Sequence, residues 1–215
     1  MIETILISVL LSAVVAFLVS RQSSKQTPEA NAQKVITTEN LIITDGDARP
    51  RMLFRGGPDG PKAILNDKNG KVRLGFGVHE TMGPGITLYD TEANPQASFQ
   101  VAKDGAGVTL ADKNGKVRLV FVVNDSTGPT ILMYDAKGTL QAQMSQQEAG
   151  YKFILHDAEG KPRGVFGSNA EGTSLQFAGP DGKLRTLIGM DQGTSGLKVF
   201  NEKGDLRAEL GYDVN

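Results

Sequence analysis

The sequence predicts an all-β protein in which eight tandem two-strand repeats follow a single N-terminal transmembrane helix. Three observations predict it. Residues 4–20 form an uncharged run whose only polar side chains are small hydroxyls, the chain beyond residue 34 repeats every 22 or 23 residues, and apolar residues within each repeat alternate with other residues. A long uncharged run suits a membrane span, a fixed spacing marks an array, and a period of two marks β-strands.

Composition removes several function classes. The 215 residues hold 23 Lys+Arg against 24 Asp+Glu, for a net charge of −1. That balance lacks the basic excess of a nucleic-acid binder, so no nucleic-acid partner is expected. Cysteine is absent and only two histidines occur, so disulfides, thiolate metal sites and a cysteine nucleophile are excluded. The length is expected to allow a sizeable buried core.

The first element is the apolar run TILISVLLSAVVAFLVS, bounded by Glu3 and Arg21. As a helix it measures about 25 Å, at the short end of a membrane span. No basic residue precedes it and no A-x-A cleavage site follows it, so residues 1–21 read as an uncleaved anchor in the cell membrane. The positive residues Arg21, Lys25 and Lys34 follow the span. By the positive-inside rule the repeat domain is expected on the cytoplasmic side. Residues 22–34 carry no large apolar side chain and one proline, and read as a polar linker.

The repeat domain covers residues 35–215. Its units are anchored at Asp45, Asp67, Asp90, Asp112, Asp135, Asp157, Gly179 and Asn201. Six units carry Gly three residues after the anchor and six carry Arg six residues after it. Apolar residues fill the positions four before, two before and nine after the anchor in every unit, as in Ala63, Leu65 and Phe76. Each unit should hold two strands with one buried face, with Phe121 in the core and sixteen strands in all.

Turn chemistry supports the pairing. Asn69-Gly70, Asn114-Gly115 and Asp181-Gly182 are hairpin dipeptides. A two-residue loop sets Leu65 opposite Leu74 and Ala63 opposite Phe76. A plain three-residue loop would set Leu65 opposite Arg73, against the apolar pattern. Residues 78–84 and 124–129 are expected to make longer connections at the other strand ends. An open solenoid-like or meander stack is expected. The period of about 45 residues also fits a four-bladed β-propeller.

Units of the form L-x-D-x-x-G-K-x-R, carried here by Leu65, Asp67, Gly70, Lys71 and Arg73, resemble those of uncharacterised bacterial membrane-anchored proteins with tandem β-repeats. The resemblance spans nearly all of residues 35–215. It implies a bacterial membrane-anchored β-repeat protein and no particular activity.

Candidate chemistry is sparse. The D-x-N-G turns resemble the start of a calcium loop but lack its length and its terminal acid, and an Asx turn accounts for them. His79 and His156 cannot complete a zinc site without further ligands. No catalytic, metal-binding or cofactor residue is therefore expected. The candidate surface-binding residues are the column Arg73, Arg118, Arg163, Arg185 and Arg207, with Tyr89 and Tyr134 one double period apart. Arginines in a row suit anionic groups and exposed tyrosines suit sugar rings. Ion pairing across the sheet and packing against it are the favoured readings of the two sets.

The function these features predict is a membrane-tethered structural or protein-interaction module without enzymatic activity. Its expected partners are the membrane, through residues 4–20, and other proteins or further copies of the chain. The alternative is a module binding envelope glycans or anionic lipid. A propeller-type enzyme is the remote alternative.

Overall fold

The period-two segments all form strands, because alternating side chains leave one face apolar and adjacent repeats supply matching partners. A computed structural model describes residues 36–147, 150–170, 172–191 and 194–212. The chain divides into a unit of residues Met1–Thr38 and a unit of residues Glu39–Asn215. The expected anchor, residues 1–21, and the linker, residues 22–34, lie outside the described residues. Among the described residues no helix is long and apolar enough to cross a membrane.

The second unit contains sixteen strands. They are β1 (Asn40–Thr44), β2 (Pro50–Arg55), β3 (Lys62–Asn66), β4 (Val72–His79), β5 (Gly83–Tyr89), β6 (Pro95–Ala102), β7 (Gly105–Ala111) and β8 (Val117–Asn124). There follow β9 (Gly128–Tyr134), β10 (Leu140–Gln147), β11 (Gly150–His156), β12 (Pro162–Asn169), β13 (Gly172–Ala178), β14 (Leu184–Asp191), β15 (Thr194–Phe200) and β16 (Leu206–Tyr212). They pair antiparallel in chain order within one open sheet, β1 at one edge and β16 at the other. The sheet is a meander and not a set of four separate propeller blades. Each strand contacts only the strands before and after it.

The predicted register is present, with Leu65 opposite Leu74 and Ala63 opposite Phe76. The loop that produces it is not the expected two-residue one. Asp67 N–H bonds Lys71 O at 2.8 Å and Gly70 N–H bonds Asp67 O at 3.1 Å, closing a turn over Lys68, Asn69 and Gly70. Gly70 takes the left-handed conformation that ends such a turn, at φ +80°. Ala48 and Ala93 hold the equivalent positions at φ +58° and +65°, despite their β-carbons. The three-residue loop is then offset by a β-bulge. Asn66 faces Val72 and Leu65 faces Leu74, so Arg73 is the extra residue. Every unit repeats this shift, the extra residues being Arg51, Arg73, Gln96, Arg118, Gln141, Arg163, Arg185 and Arg207.

The connections at the other ends are shorter than expected. Val78 and His79 remain paired with Pro84 and Gly83, leaving only residues 80–82 as a loop. Asn124 likewise pairs with Gly128.

The two faces of the sheet differ. On one face the columns align into two rows that cross all sixteen strands. One runs from Leu41 through Phe76 and Phe121 to Leu210, the other from Ile43 through Leu74 and Leu119 to Ala208. The opposite face is mixed: one row alternates stretches of aliphatic side chains, among them Leu53, Ile64, Val120 and Leu187, with Thr87, Ser98, Thr109, Lys198 and Glu209, and a second row is rich in glycine. The neighbouring strand's backbone crowds that row. A β-carbon on Gly77 would lie 2.5 Å from Pro61 O, and one on Gly196 would lie 2.4 Å from Leu210 O.

The expected buried core does not form. Ala63, Ala142 and Leu187 are the only buried hydrophobic residues among those described. Phe121 keeps 41% of its surface exposed and Phe166 55%. Phe121 is therefore no core residue within this unit, and its truncation costs less than the removal of a fully buried ring. One sheet layer has nothing to pack its apolar face against.

An array of neighbour-only contacts tolerates excision. Deleting residues 90–134 joins Tyr89 to Asp135 and sets β5 beside β10, with Leu88 opposite Ala142 and Ile86 opposite Met144. The shortened full chain is expected to keep its strand content per residue by circular dichroism. Its collapse to a disordered spectrum would show that distant contacts hold the sheet.

Candidate functional site

Two surfaces could carry function: the edge formed by the eight Asp-type turns, and the apolar face.

The turn edge is built from the anchor carboxylates. Asp67 Oδ1 accepts the N–H groups of Asn69 at 2.8 Å and Lys71 at 3.1 Å. Asp90, Asp112, Asp135 and Asp157 repeat the pair of bonds, and Asn201 does so with its amide oxygen. An Asx turn of this kind satisfies donors that the bulged strand leaves unpaired. Partial burial pushes the Asp45 carboxyl up. The N–H groups of Arg49 and Asp47, with the Arg49 and Arg51 guanidinia, outweigh it and hold the carboxyl at about 2. Hydrogen bonds from the turn N–H groups also hold Asp90, Asp112, Asp135 and Asp157 below the usual carboxylate range.

The arginine column lies on this edge, because the bulge re-aims each extra residue along it. Arg73 and Arg118 pair with their own anchors Asp67 and Asp112 at 3.6 and 3.4 Å. Their Nε atoms donate across to the next unit, Arg73 to Tyr89 O at 3.2 Å and Arg118 to Tyr134 O at 2.8 Å. Arg163 pairs with Asp157 and donates to Gly179 O and to Pro180 O. Arg185, whose anchor is Gly179, instead grips both oxygens of Asp181 at 2.9 Å. Arg207 lies 3.9 Å from Asp205. Gln96 takes the same place as the arginines, with Nε2 donating to Asp112 O at 3.0 Å. A second rail runs beside the first, from Lys71 to Glu92 and from Lys116 Nζ to Ala136 O at 3.1 Å.

The geometry joins two sets of residues that the sequence suggests separately. Arg73 meets Tyr89, and Arg118 meets Tyr134, through the tyrosine backbone carbonyls. The Tyr89 ring lies over Gly75, with its Cε2 3.7 Å from where a β-carbon would be. Both tyrosines are half-buried. A hollow of about 480 Å³ adjoins Tyr89, lined by Ile64, Gly75, Gly77, Gly85 and Thr87 among others. His79 Nδ1 accepts the Thr81 N–H at 3.2 Å, and His156 ends β11 at the anchor-minus-one position that Tyr134 holds at the end of β9. Among the described residues no cluster of three or more His, Cys, Asp or Glu is arranged to hold a metal.

The apolar face is the surface that sequence reasoning missed as a site, because its residues read as core. Phe76, Ile86, Leu88, Phe99, Phe121, Met144 and Phe166 are among the exposed large hydrophobic residues on it. Its two rows contain no ionisable side chain. Sixteen strands spaced by about 4.8 Å carry the rows over about 75 Å. With two side chains of width, the strip covers roughly 900 Å². The largest apolar patch of an ordinary monomer is about 300–600 Å². The chain matches no protein-family model and no curated protein.

Proposed function

We propose that the repeat domain is a membrane-tethered, non-enzymatic interaction module that receives a protein partner on its apolar face. The observation that carries this reading is the pair of uncharged, largely apolar rows that crosses all sixteen strands and leaves large side chains such as Phe76, Phe99, Phe121 and Phe166 exposed. An apolar strip of this size is a docking surface or an aggregation hazard, and its regularity favours docking. The uncharged run at residues 4–20 supplies the tether.

In this reading the arginines and tyrosines hold successive turns in register and do not bind ligand. Their donors and carbonyls are engaged with one another along the turn edge. That engagement weighs against the glycan or anionic-lipid alternative, which needs guanidinia turned to solvent.

Photo-crosslinking in intact cells tests the reading. A benzophenone amino acid is placed at Phe76 or Phe121 on the apolar face, or at Lys68 or Lys113 on turn tips. Protein adducts of discrete mass are expected from the face positions alone. Adducts from the turn tips alone would move the site to the turn edge, and adducts to lipid alone would overturn a protein partner.

A further inference from the structure

We propose that the partner on the apolar face is the same face of a second copy of this chain, with strand n of one copy lying across strand 17 − n of the other. The inference rests on the interaction reading above and names its partner.

Twist selects the occupant first. Adjacent strands rotate by about 20–25°, so sixteen strands turn the face through roughly a full rotation. A planar bilayer meets only a few strands of such a face. A second sheet of the same twist, coiling with the first about a common axis, follows it from end to end at the spacing of about 10 Å that packed sheets adopt. Area comes second. The strip of roughly 900 Å² matches the approximately 800 Å² per partner of a stable interface. Neither row carries a charge, so no like-charge contact opposes the meeting of two identical faces.

Relief sets the arrangement. Along one row the even-numbered strands carry the larger side chains, including Phe54, Phe76, Phe121 and Phe166, while the intervening strands carry mostly aliphatic ones. A two-fold axis between β8 and β9 brings each even strand over an odd one. Phe121 then meets Ile131, Phe76 meets Leu175, Phe166 meets Ile86 and Phe54 meets Leu197. Only Phe99 meets another phenylalanine, Phe153. Alignment of β1 over β1 would instead set every phenylalanine on its own copy, ridge against ridge. Interdigitated large and small side chains are what dry sheet-to-sheet contacts require.

The chain has no cysteine, so introduced thiols report on their own. Two full-length chains with different tags are co-expressed in membranes, one with Phe54→Cys and the other with Leu197→Cys, and oxidised mildly. A mixed disulfide dimer at twice the monomer mass is expected. Leu53→Cys, on the opposite face, should give none with Leu197→Cys. The pair Phe166→Cys with Ile86→Cys repeats the test at a second place, should either first variant misfold. A homodimer of Phe54→Cys alone overturns the strand pairing. Crosslinks only to other proteins overturn the second copy and leave the interaction reading standing. Face thiols that form no crosslink and react with a water-soluble maleimide as fast as Lys68→Cys overturn both.

Discussion

Gly77→Ala is expected to destabilise the sheet by about 2–3 kcal/mol, whereas Gly57→Ala leaves it nearly unchanged. Gly77 lies in the interior of β4, opposite Lys62 on one side and Gly85 on the other. A β-carbon there would sit 2.5 Å from Pro61 O and 2.9 Å from Lys62 Cα and Cβ. These are backbone and backbone-proximal atoms of the paired strand, so no rotamer change relieves the contact. Relief requires β3 and β4 to separate, which breaks the 2.9 Å bond from Val78 N–H to Pro61 O. In an array of neighbour-only contacts no other part of the sheet braces that joint. Gly57 has nothing within 4 Å of its β-carbon position and serves as the control. Urea unfolding followed by circular dichroism measures the difference, and amide exchange at Val78 locates it. Equal midpoints for the two variants would show that β3 and β4 are not crowded there.

Acidification from about pH 4 to about pH 2 is expected to lower the domain's stability steadily. The anchor carboxyls of Asp45, Asp67, Asp90, Asp112, Asp135 and Asp157 are all held below their ordinary value, Asp45 at about 2. In the unfolded chain they titrate near pH 4. As pH falls, the unfolded chain therefore takes up protons first, and the equilibrium shifts towards it. The stabilisation is complete above the unfolded pKa and disappears as pH passes down through the folded one. Solvent screening keeps each exposed turn's share small, and the six shifts act in the same direction. Asp67→Asn and Asp112→Asn provide the check. An amide oxygen still accepts the two turn N–H groups, as Asn201 does from Lys203 at 3.0 Å and from Asp205 at 2.8 Å. It does not titrate, so the urea midpoint of the double variant should fall less steeply across this window. An unchanged slope would remove the turn carboxylates as the cause.

Much of the fold is legible in the residues. The apolar columns place Ala63 opposite Phe76 because same-face residues must meet in a half-apolar sheet. The D-x-x-G spacing marks each turn because Asp satisfies the turn donors and Gly accepts a positive φ. The bulge is not legible in this way. Its extra residue is Arg in six units and Gln in two, and both read as ordinary solvent-side positions until the register is counted across the strand pair. A three-residue loop conflicts with the apolar pattern only where no residue is extra. Ala48 and Ala93 hide the same conformation, since the paired strands impose it on residues that do not favour it.

The candidate site divides similarly. The arginines and tyrosines stand out in sequence as columns, but their meeting through Tyr89 O and Tyr134 O depends on adjacent hairpins lying side by side. The residues in order determined the number of strands, their pairing and which face carries the three regular apolar columns, because these are set by contacts between neighbours in the chain. Only the tertiary structure decided that the sheet stays open as a single layer and leaves Phe121 and its row uncovered. Alternation records which side of a strand avoids water; it does not record whether anything in the same chain lies close enough to cover that side.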